Sequence, residues 1–532
     1  SGHRPKVDYD NWVNSMVSKA VPPKEVRQNP RARKALQDEA DKLRAAKTWL
    51  EDTVRERSDV AAEAQRDGRT VHFAELMGIV VIKDSELEEA LQRYKGRIVV
   101  RGDKIKDQDG LAALFQELGS APASMTAGKI ADAIGLLRGN SSEQADAEQA
   151  YIQCELKGDE TWVSLPPEIR PASWSKFRNP VCRLRMSLYG HPDSGGYWEQ
   201  HCEEQLRQEG FEPIPDWRSC FWHKDLQLLL TVYVDDFKLA GPTAAIAEGW
   251  RKIARRIKIS KPAIAGRYLG CQHHYTHNER GGSVEFEVTG FMKQVCTRYL
   301  EVTGLPRESL TPALTPFLPD SAITEEDEEE QGNLREDSAK VLMKILYGAR
   351  VARYDLLNAT RALAGYITKW TRACDKKLHR LVCYINSTVD YTLKGYINDS
   401  PDDLYLRLYA DADFAGCKKT AKSTSGVYLC LCGPNSWMPL AAISKRQGCV
   451  SHSTPEAELV AVDLALRAEG LPALVIWEKI LGRPVRLVFE EDNQAAITVM
   501  KSGYSSALKH MGRTHRVCLK WISERVAEKQ VE

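Results

Sequence analysis

No stretch of this sequence is long and apolar enough to cross a bilayer. One of its longest apolar runs, from Leu76 to Ile82, is far short of the roughly 18 residues a span needs, so no membrane role is expected. Cys-x-x-Cys pairs are missing as well. Of the 13 cysteines only Cys430 and Cys432 lie close together, which argues for reduced thiols rather than a disulfide frame or zinc cage. Charge of one sign is not in excess. Lys+Arg is 74 against Asp+Glu at 73, a formal net charge of +1. That excludes attachment to nucleic acid by bulk charge and leaves local basic faces open. The first residues, Ser1-Gly-His-Arg-Pro-Lys6, have no apolar core, so no secretory signal is expected. There is no internal repeat. What remains is 532 residues, 43% hydrophobic and 28% charged. That composition excludes wholesale disorder, and the length implies roughly three or four folded units at about 150 residues each.

Along the chain, residues 1–30 are polar and proline-bearing and read as a linker. From Arg31 to Arg57 the apolar residues Leu36, Ala40, Leu43 and Trp49-Leu50 recur at near-helical spacing. Val71 to Lys83 and Arg97 to Val100 are β-rich, with a turn and a helix expected between them. Ser124 to Leu137 reads as a helix, and a strand and turn follow around Asp146. Six acidic residues from Glu325 to Glu330 mark a solvated linker, assigned to 321–340. Val341 to Ile385 is mostly helical. From Leu404 onward three strands, a helix that Pro472 should kink, a fourth strand and another helix form an α+β pattern.

The sharpest chemical signal is Tyr233-Val-Asp-Asp236 at the end of the apolar strand Leu228-Leu-Leu-Thr-Val-Tyr233. An acidic turn in solvent is the ordinary explanation of an Asp-Asp pair. Here the flanking strand is buried in character, and ionised aspartates there need a partner. Divalent metal is the natural one, because Mg²⁺ takes oxygen ligands from one or two carboxylates. Asp146 offers a third carboxylate; taken singly it would more often cap a helix. Seven cations from Arg251 to Arg267 (Arg251, Lys252, Arg255, Arg256, Lys258, Lys261 and Arg267) are uninterrupted by any acid and suggest a track for a phosphate backbone. Cys271, His273, His274 and His277 invite a zinc reading, but strand alternation would split them between two faces.

An ordered set of motifs resembles the Pol polyprotein of copia-type LTR retrotransposons, over roughly residues 30–525. The set comprises Lys95-Gly-Arg-Ile-Val-Val-Arg101, Gln144-Ala-Asp-Ala-Glu-Gln-Ala-Tyr-Ile-Gln-Cys154, Val181-Cys-Arg-Leu-Arg-Met-Ser-Leu-Tyr-Gly190, Leu230-Thr-Val-Tyr-Val-Asp-Asp-Phe237, Tyr268-Leu-Gly270, Tyr409-Ala-Asp-Ala-Asp-Phe-Ala-Gly416, Ser423-Thr-Ser-Gly426, Ser453-Thr-Pro-Glu-Ala-Glu-Leu459 and Glu491-Asp-Asn-Gln-Ala-Ala-Ile497. The resemblance implies an α+β right-hand polymerase with fingers, palm and thumb within 31–320, a helical connection over 341–403 and an RNase H-like domain over 404–532. It implies an RNA-directed DNA polymerase that copies retrotransposon RNA with two Mg²⁺ (or Mn²⁺) ions per active site. Asp146, Asp235 and Asp236 would hold metal in the palm, and Asp411, Glu458 and Asp492 in the RNase H unit. Lys95 and Arg97 would meet the triphosphate, and Tyr151 would exclude a 2′-hydroxyl. Tyr268 and Gly270 would belong to the primer grip, alongside Arg251, Lys252, Arg255, Arg256 and Lys258 on the nucleic acid. The implied partners are RNA template, DNA primer, RNA–DNA hybrid, dNTPs and other products of the same polyprotein, in cytoplasmic virus-like particles or the nucleus.

Three stretches depart from the family pattern. A glutamine position is Asp193, Arg101-Gly-Asp-Lys-Ile-Lys106 replaces a small-residue stretch, and Lys509-His-Met-Gly-Arg-Thr-His-Arg516 lacks an expected fourth acid. His515 is the nearby residue expected to assist, and Glu524 the acid expected to substitute. A catalytically silent, domesticated nucleic-acid-binding derivative is the alternative these departures keep open.

Overall fold

The computed structural model describes residues 18–83, 93–115, 120–417, 419–528 and 531–532. Asn29 opens the first long helix, Pro30–Ala45, by accepting from the amides of Arg31 and Ala32, with Pro30 in the first turn where its missing N–H costs nothing. The helix buries Ala32, Leu36, Ala40 and Leu43. It lies on the strand Arg93–Val100 at Gly96, where a Cβ would come within 2.4 Å of the Ala35 carbonyl oxygen. The helical reading fails beyond Ala45. Trp49–Glu56 is a strand paired antiparallel with Pro180–Leu184, because Trp49 finds its burial in a sheet rather than on a continued helix face. Part of the expected N-terminal linker is ordered too, as the strand Ser18–Ala20 and the helix Pro23–Gln28. The helix expected between Val71–Lys83 and Arg93–Val100 falls outside the described residues.

Three sheets carry the fold. A six-stranded sheet is built on Val71–Lys83, flanked by Arg93–Val100 and by Glu160–Ser164. A second six-stranded sheet, the palm, runs in the order Ala263–Ile264, Asn140–Asp146, Asp236–Pro242, Leu228–Tyr233, Trp217–His223, Phe211–Ile214. The helix Met125–Leu136, capped by the Ser124 hydroxyl on Ala127 N–H, packs chiefly against Asn140–Asp146 and Asp236–Pro242.

The third sheet has eight strands and joins regions the sequence reading separates. It begins with the hairpin Arg267–Tyr268 and Cys271–His277, and continues through Gly282–Glu287 and Leu393–Ile397. It ends in Ser436–Arg446, Thr424–Gly433, Tyr405–Asp413 and the parallel strand Leu487–Glu490. Helices Thr289–Thr303, Ser338–Val351 and Arg372–Ser387 pack beside it in one layer. A single hydrophobic core runs from Ala123 to Val531 through all of these elements.

The acidic stretch is a packed helix, Glu325–Glu329, and not the solvated linker expected at 321–340. Thr324 and Asp327 form a reciprocal capping box, and Asp327, fully buried, meets Arg372 at 2.6 Å and Lys376 at 2.5 Å. Those two cations, roughly one turn of helix apart on Arg372–Ser387, supply the countercharge. Pro472 does divide its helix. Thr454–Ala465 passes through a π turn, Leu466–Gly470, into Leu471–Leu481, which absorbs the backbone bond that proline lacks.

Candidate active sites

The palm carboxylates are brought together by strand register. Leu228–Tyr233 and Asp236–Pro242 form a hairpin closed at Tyr233 and Asp236, so Val234 and Asp235 are its two turn residues. Val234 takes φ +58°, a strained value for a β-branched residue. Its carbonyl accepts from the indole of buried Trp198 at 2.8 Å, which ties the turn to the helix Ser194–Gln208. On the neighbouring strand Asp146 pairs directly with Asp236. The Asp146 amide donates to Ser260 Oγ at 2.9 Å, and the Ser260 amide donates to the Asp146 carbonyl at 2.8 Å. Trp198 and Ser260 were not singled out from sequence; no local pattern marks a residue that reaches a turn 36 positions away.

Electrostatics favour a cation at this place. Burial, then the Asp235 and Asp146 charges, push the Asp236 carboxyl up to about 8. Burial chiefly raises Asp235, and Arg97 opposes that rise. Two carboxylates raised in this way beside a third, all half-buried or exposed, suit divalent cations with oxygen ligands.

The fingers face the same carboxylates. Arg97 and Lys95 both act on Asp235 through their charge. The Arg97 guanidinium lies 5.7 Å from the centroid of Tyr189, whose ring is 4.4 Å from that of Tyr151. Tyr151 is buried among the palm residues, with Gly195 at the far end of its side chain. Asp193 does not project into this space. It is buried at the N-terminus of Ser194–Gln208, near His72 and Tyr197.

The basic run and Tyr268 have partners within the protein. Most of the basic run is ion-paired within the protein: Arg255 and Arg256 to Glu209 at 3.3 and 3.0 Å, Lys258 to Glu148 at 2.8 Å, and Arg251 to Glu248. Lys252 donates to the Glu209 carbonyl at 3.3 Å. The acids missing from the run arrive from other elements. Lys261 and Arg267 are exposed, and neither forms an ion pair among the described residues. Tyr268 is buried, with Lys238 4.1 Å from its ring centroid. Gly270 takes φ +76° at the turn, close to the Tyr347 hydroxyl. The histidines of this hairpin divide between faces: His273 lies 3.4 Å from buried Asp132, and His274 meets Glu287 at 2.6 Å.

The second cluster forms as the sequence reading expects. Asp411, Glu458 and Asp492 each place a ligand oxygen within 4.8 Å of the others. Asp411 lies on Tyr405–Asp413, Glu458 on Thr454–Ala465, and Asp492 just past Leu487–Glu490. Glu458 is 3% exposed, and burial followed by the charges of Glu491, Asp411 and Asp492 pushes it up to about 8. A cavity of about 370 Å³ adjoins Asp411, lined in part by Tyr354, Asn358, Tyr409, Tyr428 and Ser444. Asp413 and Glu456 stand outside the cluster. Asp413 accepts the Thr424 amide, while Glu456 accepts the His452 amide at 2.9 Å and meets His510 and His515 at 3.0 and 2.8 Å. His515 is therefore not an auxiliary group at the carboxylates. It is buried against Glu456 and holds the segment after Lys509 to the helix. Glu524 is exposed with Lys520 at 4.0 Å and is no substitute ligand. Glu491 was missed; the run Glu490-Glu491-Asp492 was its only signal in the sequence.

A carboxylate-tipped hairpin thus lies beside a third carboxylate with the charges of Lys95 and Arg97 acting on it, and a second carboxylate cluster lies at the other end of the eight-stranded sheet. Residues 78–307 match the family model "Reverse transcriptase (RNA-dependent DNA polymerase)". The chain is 24% identical over 390 residues to the retrovirus-related Pol polyprotein from transposon RE1 of Arabidopsis thaliana, covering 71% of this chain and 24% of that protein. It is 21% identical over 375 residues to the transposon TyH3 Gag-Pol polyprotein of Saccharomyces cerevisiae, covering 68% and 20%. The chain thus spans about a quarter or less of the curated relatives it matches. A foamy viral protease–reverse transcriptase in complex with double-stranded DNA aligns at TM-score 0.43 and 12% identity, over 100% of this chain and 83% of that one. Residues 78–307 are thus similar to reverse transcriptases, and the chain is similar to part of the Pol polyproteins of these transposons.

Proposed function

We propose that the chain is an RNA-directed DNA polymerase with an attached ribonuclease H, acting on an RNA template, a DNA primer and dNTPs. The observation that carries the reading is the register pairing of Asp236 with Asp146 beside the Asp235 turn. Asp146, Asp235 and Asp236 would hold a pair of Mg²⁺ or Mn²⁺ ions, which when bound supply the charge neutralisation and Lewis acidity that in-line phosphoryl transfer requires. The chain's own groups do the rest. Arg97 and Lys95 bind triphosphate oxygens from above, the guanidinium through its planar fork. The Tyr151 ring, held against Tyr189, fills the space a 2′-hydroxyl would take. Trp198 and Ser260 keep the hairpin and the Asp146 strand in register, so that the carboxylates are placed before substrate arrives. Asp411, Glu458 and Asp492 would act in the same manner on the RNA strand of the hybrid product.

The test is primer extension on poly(rA)/oligo(dT) with Mg²⁺ or Mn²⁺, beside Asp235→Asn. Extension should require the divalent ion and fall by several kcal/mol of transition-state stabilisation, on the order of 10³ in rate, in the variant. Extension by Asp235→Asn at the wild-type rate would remove the hairpin from the chemistry.

A further inference from the structure

Ten of the twelve residues of the helix Met125–Leu136 are buried, and two of those ten are charged, Lys129 and Asp132. Asp132, 1% exposed, is the centre of a buried polar group. Its Oδ1 accepts from Lys238 Nζ at 2.6 Å and from the Tyr275 hydroxyl at 2.5 Å, and its Oδ2 lies 3.4 Å from His273 Nε2. Lys238 is wholly buried and stands on the strand Asp236–Pro242, two residues beyond Asp236. His273 and Tyr275 stand on Cys271–His277, the second strand of the hairpin that begins at Arg267. One carboxylate therefore joins the strand of a palm acid to that hairpin.

Buried ions are a costly way to hold two elements together. Apolar side chains of similar volume are often as stabilising, so what a buried pair can add is a fixed arrangement. Here the arrangement concerns the hairpin and the palm acids. Lys238 Nζ also lies 4.1 Å from the ring centroid of Tyr268, on the hairpin's first strand. Gln144, the register partner of Lys238, holds the hairpin's base: its Nε2 donates to the Arg267 carbonyl at 2.9 Å, and its Oε1 accepts the Gly266 amide at 3.4 Å. At the tip Leu269 takes φ +48°, a value a non-glycine residue keeps only where its surroundings impose it. The charge of Asp236 acts on Tyr268 and on Tyr347, whose hydroxyl Gly270 of the tip faces. We propose that Asp132 is a positioning residue for DNA synthesis: by gripping Lys238 and Tyr275 together it fixes the hairpin against the strand of Asp236, so that the end of the primer is set against the palm carboxylates. This rests on reading the palm as a polymerase site.

The test uses two variants of the full chain. Asp132→Leu together with Lys238→Met removes both charges and keeps the space filled. Tyr275→Phe removes only the hairpin's hydroxyl and leaves both charges in place. Each is followed by thermal unfolding, by affinity for poly(rA)/oligo(dT), and by single-turnover extension over a range of dTTP concentrations. The maximal extension rate should fall on the order of tenfold to a hundredfold in the double variant, the scale of a misplacement of about 1 Å, and by less in Tyr275→Phe. Affinity for primer–template and the half-saturating dTTP concentration should stay near wild type. A weakened fold would instead lower the melting temperature and the amplitude of extension, with the rate unchanged. Extension at the wild-type maximal rate by either variant overturns the proposal, and so does a loss confined to amplitude; where the double variant does not fold, Tyr275→Phe decides. Absence of extension by the wild-type chain would mean that the polymerase reading itself fails, and the proposal with it.

Discussion

Asp236 stands opposite Asp146 in direct register across two adjacent palm strands, one residue beyond the turn that carries Asp235. Burial and these two neighbours raise its carboxyl to about 8, against an ordinary aspartate value near 4. A group raised in the folded state binds a proton that the unfolded chain has already released. Its contribution to stability is therefore complete below about 4 and is lost as pH climbs to about 8. The metal-free protein should melt at lower temperature as pH rises through that window. Asp236→Asn should flatten the decline, and Mg²⁺ or Mn²⁺ should reverse it in wild type alone. Thermal unfolding at several pH values, with and without the ion, measures both effects; a variant that keeps the wild-type pH slope would place the titration elsewhere.

Sugar selection should reside in ring bulk. Tyr151 packs against Tyr189 at 4.4 Å between centroids, so removing it opens a volume the size of the lost ring. Tyr151→Ala is expected to raise rNTP use relative to dNTP by on the order of tenfold to a hundredfold, the range for discrimination by pocket shape. Tyr151→Phe should keep discrimination. Paired kcat/KM values for dTTP and UTP decide the matter, and equal ratios in Ala and wild type would exclude Tyr151 from the sugar pocket.

Salt dependence should separate anchoring cations from contacting ones. Arg255 and Arg256 are engaged by Glu209. Changing both to Ala should cost some stability and leave the slope of log affinity against log salt nearly unaltered. Lys261 is exposed, close in sequence to Ser260, which is bonded to Asp146. Lys261→Ala should reduce the slope by about 0.9 on duplex, the contribution of one phosphate contact. The opposite pattern would restore the whole basic run as the track.

Asp492→Asn should stop hybrid cleavage while primer extension continues, since the two clusters lie on different sheets. Cleavage by wild type should be faster in Mn²⁺ than in Mg²⁺, because Mg²⁺ demands near-ideal octahedral geometry and, among the described residues, three carboxylates converge at this cluster. Cleavage of a labelled RNA strand reports both, and loss of synthesis together with cleavage would mean that the substitution disrupts more than its own site.

Much of the site could be read from the chain because its residues mark themselves locally. A hairpin at Asp235-Asp236 follows from an apolar strand broken by two acids, and Asp411, Glu458 and Asp492 sit at strand ends and on a helix in the expected order. What escaped reading was long-range pairing. The Glu325–Glu329 helix looks like a solvated run until Arg372 and Lys376, more than 40 positions on, are brought to Asp327. The cations of 251–258 look free until Glu209 and Glu148 arrive from other elements. His515 looks available until Glu456, 59 residues earlier, takes its ring. Trp49 continues a helical spacing but is claimed by a sheet partner at Leu184. Charge patterning along a chain therefore states which groups need partners, and only the fold states which partners they obtain.

One eight-stranded sheet runs through both halves of the molecule. The strands that begin at Arg267, whose carbonyl accepts from Gln144 on the Asp146 strand, are paired neighbour to neighbour as far as Leu487–Glu490, which precedes Asp492. The number of base pairs between the growing DNA end and the point where RNA is cut should then be a constant of the protein, set by backbone geometry. It should not vary with linker length, as it would in a flexibly joined pair of enzymes.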